Sequence, residues 1–246
     1  MFKLSFVIPT YHREANLRRV LSSLVFQTDR DFEVIVADDG STDTTALMVR
    51  QQADRLPIKY FWHKNSGYGL AMMRNKGAAL RAKDTTHIWW LDADVVLCKD
   101  AVAQARILCE KNPDVVLAGR YDWMHDHPLP VECGANYWEE FSKLPFRPDH
   151  RERRFATQET QTFYEGGVIG ANIVCPVKWW ITRGFDETII GGGEDGEFSY
   201  HLQEQGAPVI FSTATRGLHM WHPRAATAEN SMAVRLIRTR YLGMKE

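Results

Sequence analysis

The sequence predicts an α/β fold: a Rossmann-like, mostly parallel central sheet with helices on both faces, followed by a smaller and less regular region. Three observations predict it. Strand-like and helix-like segments alternate through the first half of the chain, the pattern of a parallel sheet with crossover helices. The strand segments are apolar runs rich in strand-formers. Most of those runs break sharply on polar or acidic residues, as strands do when their carboxyl ends share a ligand crevice.

Taken in order, Leu4-Ser5-Phe6-Val7-Ile8 is a buried strand stopped by Pro9. Glu14 to Gln27 carries Ala15, Leu17, Val20, Leu21, Leu24 and Val25 at amphipathic-helix spacing. Phe32 to Ala37 is a second strand, broken by Asp38-Asp39-Gly40-Ser41, where Ser41 or Thr42 caps a helix running to about Arg55. Ile58 to Trp62 is a third strand, Gly67 to Ala82 a glycine-containing turn and helix, and His87 to Leu91 a fourth strand. The four strand ends carry Pro9-Thr10-Tyr11, Asp38-Asp39, His63-Lys64-Asn65 and Asp92-Ala93-Asp94.

The second half is less regular. Tyr121 to Phe163 holds four prolines, aromatics and a charged loop, with few clear elements; Gly166 to Gly170 resumes an apolar, flexible segment. Gly191-Gly192-Gly193-Glu194-Asp195 opens a helix marked by Phe198 and Leu202, Val209-Ile210-Phe211 is a late strand, and Ala225 to Leu242 reads as a C-terminal helix.

Composition narrows the function classes. At 246 residues the chain is long enough to bury a full core, and a formal net charge of −1 gives no general nucleic-acid-binding signature. The basic cluster from Arg147 to Arg154 is interrupted by Pro148, Asp149 and Glu152 and reads as a solvated loop. No apolar run approaches the ~20 residues of a membrane span, and the N-terminus has no signal-peptide pattern, which leaves room only for peripheral association with a membrane. Cys98, Cys109, Cys133 and Cys175 are scattered without C-x-x-C pairing. They suit reduced, buried thiols and a cytoplasmic setting.

Asp92-Ala93-Asp94 is the most informative stretch, because two carboxylates in an apolar run are costly to bury unless something neutralises them. A hard cation such as Mg²⁺ or Mn²⁺ does so and completes its shell with water and phosphate oxygens, which suggests a metal-assisted reaction on a phosphorylated donor. A loop or a helix cap also produces such a triplet; its place at the end of a buried strand is what gives it weight.

Aligned with these elements, the chain resembles an inverting glycosyltransferase of the GT-A fold, in the large family 2. The resemblance is carried by Phe6-Val7-Ile8-Pro9-Thr10-Tyr11, by Val34 to Asp43 with its Asp38-Asp39-Gly40-Ser41 turn, by Asn65, Gly67, Ala71, Arg74, Asn75 and Gly77, and by Asp92-Ala93-Asp94. The C-terminal half is similar to galactosyltransferase-type domains through Glu165-Gly166-Gly167-Val168, Gly184-Phe185-Asp186-Glu187 and Gly192-Gly193-Glu194-Asp195. It implies one GT-A domain over residues 1–246, with a nucleotide-sugar-binding half (1–120) and an acceptor-binding and catalytic half (121–246).

The resemblance also implies roles. Asp38 and Asp39 meet the uracil or ribose of a UDP-sugar, flanked by Pro9, Thr10 and Tyr11; Asn65, Asp92, Ala93 and Gly167 complete the donor side, and Arg74 reaches the diphosphate. Asp94 ligates Mn²⁺ or Mg²⁺, with His222 and, in second place, His219 as the distant ligands. Asp195 is the general base and Glu194 its partner. Each role has a plainer competitor: an Asp-Gly turn for Asp38 and Asp39, a solvated helix face for Arg74, an interfacial imidazole for the histidines, a helix N-terminal acid for Glu194 and Asp195.

One departure limits the transfer. Galactosyltransferase-type relatives place tryptophan where this chain has Gly191, so their acceptor preference does not carry over. Trp123, Tyr137 and Trp138 offer another aromatic surface for an acceptor, whereas His125-Asp126-His127 fits a solvated turn better than a chelate. The expected activity is metal-dependent, inverting transfer from a nucleoside-diphosphate sugar to a hydroxyl of a glycan, lipid, protein or other acceptor. The alternatives are an inactive binding module on the same fold and a sugar nucleotidyltransferase. The latter needs a glycine- and base-rich loop after the first strand, and Pro9-Thr10-Tyr11-His12-Arg13 is not one.

Overall fold

A computed structural model describes residues 1–65, 67, 69–151, 170–190, 192–223 and 239–241. The alternating half folds in the expected order. It comprises β1 (Leu4–Thr10), α1 (Glu14–Val25), β2 (Phe32–Asp38), α2 (Thr45–Gln52), β3 (Ile58–Trp62), α3 (Leu70–Ala79) and β4 (His87–Leu91). Then come β5 (Val95–Leu97), α4 (Ala101–Lys111), β6 (Val116–Met124), α5 (Tyr137–Phe141) and β7 (Phe146–Arg147). The rest is β8 (Asn172–Pro176), α6 (Val177–Trp180), α7 (Glu194–Glu204) and β9 (Val209–His219).

Among the described residues the strands form one sheet in the order β3-β2-β1-β4-β8-β6-β9-β5, with β7 on β6. β3, β2, β1 and β4 are parallel. The second half is mixed: β8 is antiparallel to both neighbours, β6 and β9 run parallel, and β5 is antiparallel to β9. No helix among the described residues is long and apolar enough to cross a membrane.

Period-two alternation decides which side chains meet which helices. Phe6, Ile8, Val34, Val36 and Trp89 pack with Leu17, Val20, Leu21 and Leu24 of α1 and Ala101, Val102 and Ala105 of α4 on one face. Val7, Ile35, Ile88 and Trp90 pack with Ala71 and Ala78 of α3 and Phe198 and Leu202 of α7 on the other. All four cysteines are free and buried.

Four expectations change on contact with tertiary structure. α2 starts at Thr45 and is held by Asp43, whose Oδ1 accepts from Thr45 N at 3.0 Å and Thr45 Oγ1 at 2.5 Å. Ser41 and Thr42 serve His12 instead. Asp149 and Arg151 are buried and paired at 2.6 Å, so that part of the basic cluster is no solvated loop. β9 continues past Phe211 because its polar groups find partners: Arg216 donates to buried Asp122 at 2.8 Å, and Thr215 O accepts from Asn172 Nδ2 at 2.8 Å. Of the expected C-terminal helix, the stretches 225–238 and 242 lie outside the described residues, while Arg240 and Tyr241 are tied to Glu197 of α7 at 2.8 and 2.6 Å.

α3 sits unusually close to the sheet at Gly77. A Cβ there falls 2.5 Å from Val7 Cγ1 and 3.3 Å from Ala37 Cβ. Helix propensity alone favours alanine by about 1 kcal/mol, whereas overpacking a rigid Val costs about 1–3 kcal/mol. Gly77→Ala is therefore expected to lower stability by up to about 2 kcal/mol in chemical denaturation. A stabilised variant shows that the helix has room to move.

Candidate active site

The site lies at the carboxyl ends of the parallel strands. β4 is wholly buried and ends at Asp92, where the chain turns: Val95 N donates to Asp92 O at 3.1 Å and the run resumes as β5. The triplet is thus the turn between two buried strands. β5 pairs with the end of β9, register Val95 with His219, and Met220 N donates to Asp94 O at 2.8 Å. That pairing brings the histidines to the acid.

Asp94 Oδ2 is 3.1 Å from His222 Nε2, Asp94 Oδ1 is 3.4 Å from His219 Nε2, and the three potential ligand atoms lie within 4.8 Å of one another. Each imidazole faces a backbone carbonyl through Nδ1, His219 with Met220 O at 3.0 Å and His222 with Pro223 O at 2.9 Å. A proton on Nδ1 leaves Nε2 with its lone pair aimed inward, the arrangement that orients a metal-binding histidine. Asp94 Oδ1 is buried and has no hydrogen-bond partner among the described residues. The trio fits a divalent cation. Burial works to raise the Asp94 carboxyl, but the adjacent imidazoles prevail and hold it below the usual range. The hydrogen bond to Asp94 in turn raises His222.

At the nucleotide end the two expected acids part company. Asp38 is fully buried and committed internally, Oδ1 to Ser41 N at 2.8 Å and Oδ2 to Tyr60 OH at 2.6 Å. It shapes the turn, and both its oxygens are bonded within the protein. Asp39 holds Gly69 N at 3.2 Å and Asn65 Nδ2 at 3.4 Å through Oδ2, while its Oδ1 is buried without a partner. Burial raises its pKa. Thr10 Oγ1 and His63 Nδ1 are likewise buried, so Thr10, Asp39 and His63 carry buried polar atoms without a partner among the described residues at the ends of β1, β2 and β3. His63 was visible in the sequence only as part of a polar strand end.

Tyr11 is exposed and stacks on His12 at 4.4 Å between ring centroids. His12 has a positive φ of 49° and is held by Ser41 Oγ, which accepts from His12 N at 2.9 Å, and by Thr42 N, which donates to His12 Nε2 at 3.0 Å. No sequence signal marks His12, since a non-glycine residue in this backbone region depends on those distant bonds.

Arg74 departs most from expectation. Its side chain is 1% exposed and lies between two carboxylates. Nη2 donates to Asp92 Oδ1 at 2.9 Å, Nη1 donates to Glu194 Oε1, and the guanidinium sits 5.3 Å from the Phe185 ring centroid. Burial opposes its charge, but Glu194 and Asp92 prevail and raise its pKa. It therefore faces Asp92, Glu194 and the Phe185 ring. A Cβ at Gly170 would fall 2.2 Å from Arg74 Nη2, so only glycine lets that backbone pass. Ala93 lies in the turn, and Asp92 keeps a side chain 28% exposed toward the crevice.

Glu194 and Asp195 open α7 behind Gly192 and Gly193, both at positive φ (103° and 91°). Glu194 is buried against Arg74, while half-buried Asp195 is oriented by Gly170 N on Oδ2 at 3.0 Å and Gly196 N on Oδ1 at 2.7 Å. Gly167, expected on the donor side, lies outside the described residues, as do the Glu165–Val168 motif and Gly191. Of the expected acceptor aromatics, Tyr137 is buried with its hydroxyl on Leu97 O, and Trp138 packs against the core. Trp123 lies 4.0 Å from His219 and lines a cleft of 510 Å³ with Arg147, Trp221 and both histidines. His125, Asp126 and His127 are exposed, as a solvated turn requires.

The family described as Glycosyl transferase family 2 matches residues 5–168. Validoxylamine A glucosyltransferase of Streptomyces hygroscopicus subsp. limoneus is 34% identical over 255 residues, covering 93% of this chain and 54% of that protein. Chondroitin synthase of Escherichia coli is 31% identical over 252 residues, covering 92% of this chain and 35% of that protein. The chain thus spans about half the length of the first relative and about a third of the second. Among solved structures, Staphylococcus aureus TarS superposes with a TM-score of 0.72 at 18% identity, over 100% of this chain and 40% of that one. GalNAc-T7 with UDP, GalNAc and Mn²⁺ gives 0.69 at 19% identity, over 97% of this chain and 48% of that one.

Arg74→Met leaves buried Glu194 and part-exposed Asp92 without their cation, a loss of about 3–5 kcal/mol at pH 7. Burial raises Glu194, and Arg74 partly offsets that. An acid with a raised folded-state pKa binds more protons folded than unfolded. Its contribution to stability is therefore lost as pH rises through that pKa and regained below it. The variant's deficit is expected to shrink from pH 7 to pH 5 in urea denaturation. A deficit under about 1 kcal/mol, or one equal at both pH values, contradicts the buried-triad geometry.

Proposed function

Because the chain belongs to glycosyl transferase family 2, we propose that it transfers a sugar from a nucleoside-diphosphate donor, UDP-linked, to a hydroxyl acceptor, with inversion and with dependence on a divalent cation. Its fold is the GT-A fold, whose neighbours include TarS 1–349 with UDP-GlcNAc. The observation that carries the reading is where the open buried atoms lie. Buried polar atoms ordinarily have partners, yet among the described residues Thr10 Oγ1, Asp39 Oδ1 and His63 Nδ1 lack one at one end of the crevice and Asp94 Oδ1 at the other. A nucleotide completes the first group and a cation the last.

In this reading Asp39, Thr10 and Asn65 hold the nucleoside, Tyr11 covers the base beside His12, and the exposed side of Asp92 meets the ribose. Asp94, His219 and His222 hold the metal. Two imidazoles suit Mn²⁺ better than Mg²⁺, which prefers an all-oxygen shell. When bound, the cation supplies Lewis-acid stabilisation of the leaving diphosphate. Asp195 takes the proton of the acceptor hydroxyl as its oxygen attacks the anomeric carbon, and the bond to the diphosphate breaks on the opposite face. One base suffices for such a single displacement, which suits a pair in which Arg74 claims Glu194 and leaves Asp195 open. The cleft beside Trp123 and Trp221 receives the acceptor.

The test is UDP release from a panel of UDP-sugars with Mn²⁺ or with chelator, comparing wild type with Asp195→Asn. Wild type is expected to release UDP only with metal, and Asp195→Asn to lose about 10²–10⁴-fold in kcat with UDP affinity unchanged. A variant as fast as wild type rules out Asp195 as base, and metal-independent release rules out the cation.

A further inference from the structure

Two residues beyond Asp195, α7 carries a carboxylate that the transfer chemistry leaves unused. Glu197 is fully buried, and its N–H donates to Gly193 O at 3.1 Å, closing the turn on which Asp195 sits. That turn has little rigidity of its own. Gly192 and Gly193 precede it at positive φ and Gly196 lies within it, and glycine leaves the backbone free to rotate. Its position therefore depends on what holds the two buried acids. Glu194 is held from α3 by Arg74. Glu197 is held from a different side: Arg183, after α6, donates through Nη1 to Oε1 at 2.7 Å and through Nη2 to Oε2 at 2.9 Å.

The remaining donors come from far along the chain. Arg240, 43 residues on, donates through Nη1 to Glu197 Oε1 at 2.8 Å, and the Tyr241 hydroxyl donates to the same oxygen at 2.6 Å. Tyr241 also stacks on Tyr200 of α7 at 5.3 Å between ring centroids, and Arg240 Nη1 donates to Asp186 Oδ2 at 2.8 Å. Charge balance shows why the second cation matters. The Glu197 side chain is 0% exposed and that of Asp186 11%; without Arg240 the two acids share Arg183 alone. A carboxylate left uncompensated at that depth is driven toward solvent or a new partner. Glu197 cannot move that way without shifting the first turn of α7. The bonds of Arg240 and Tyr241 run to Glu197, Asp186 and Arg183, none of which belongs to the metal or nucleotide groups.

We infer that Arg240 and Tyr241 are positioning residues for the transfer: by clamping Glu197 they set the angle at which Asp195 meets the acceptor hydroxyl. This inference rests on the reading of Asp195 as base. The experiment is a double-mutant cycle on the full chain, with Arg240→Gln, Arg240→Lys and Tyr241→Phe each made in wild type and in Asp195→Asn. The readouts are kcat and KM of UDP release in Mn²⁺, and UDP affinity by calorimetry. Arg240→Gln is expected to lower kcat about 10-fold with KM and UDP affinity unchanged, because a displaced base costs rate and not donor binding. Arg240→Lys keeps the charge and recovers most of that loss, and Tyr241→Phe loses about 3-fold. In the Asp195→Asn background none of the three costs more than about 2-fold, a pattern that general destabilisation does not produce. Should Arg240→Gln not fold by circular dichroism, Tyr241→Phe, which removes a single hydroxyl, decides by the same criteria. A kcat within about 2-fold of wild type, a matching loss of UDP affinity, or equal losses in both backgrounds each overturn the inference and leave the base reading standing. Asp195→Asn as fast as wild type overturns the base reading, and the inference with it.

Discussion

One buried cation holds the crevice together. Arg74 extends from α3, in the alternating half of the chain, to Asp92 after β4 and to Glu194 at the head of α7. Buried Arg74 and Glu194 are each costly alone and tolerable only as a set, which part-exposed Asp92 completes. The set fixes distances between elements far apart in sequence. It holds the Asp92–Asp94 turn against the sheet, and it fixes Glu194 so that Asp195, the next residue, is presented half-open. Gly170 passes over the guanidinium and donates its N–H to Asp195, so the same packing that seals Arg74 also orients the neighbouring carboxylate.

The rest of the crevice follows a division of labour between committed and open groups. Each acidic pair has one member committed to internal bonds and one less fully engaged. Asp38 closes its own turn while Asp39 keeps an open oxygen; Glu194 is claimed by Arg74 while Asp195 is held only by backbone. Asp92 is claimed on one side, while Asp94 faces two imidazoles whose outer nitrogens rest on carbonyls. Such pairing gives the open member a rigid base without leaving it isolated in a low-dielectric setting.

The alternating half of the fold was legible because it depends on local pattern. Apolar runs marked off near Pro9, Asp38 or Asp92, and an amphipathic stretch such as Glu14 to Val25, state their structure with little tertiary help, although β1 runs through Pro9 to Thr10. β9 and β6 were not legible at full length. The polar stretch from Ser212 to Gly217 reads as a strand end, and Asp122 and Asn172, remote in sequence, help to satisfy it as strand. The motifs marked where chemistry-bearing residues cluster, and Asp94 with His219 and His222 do converge. What each residue touches was not legible. Arg74 and a diphosphate-binding arginine look alike in sequence until burial shows which carboxylates flank it. His12 acquires its backbone conformation solely from the loop it meets.

The central claim, that a sealed Arg74 anchors a crevice whose metal rests on Asp94, His219 and His222, is tested most directly by a crystal structure of the chain soaked with Mn²⁺ and UDP, with the ion located by anomalous scattering. The account predicts manganese within bonding distance of Asp94 and of Nε2 on both histidines, with Arg74 still between Asp92 and Glu194 and out of reach of the phosphates. A guanidinium of Arg74 turned onto the diphosphate, or manganese bound away from the two imidazoles, contradicts it.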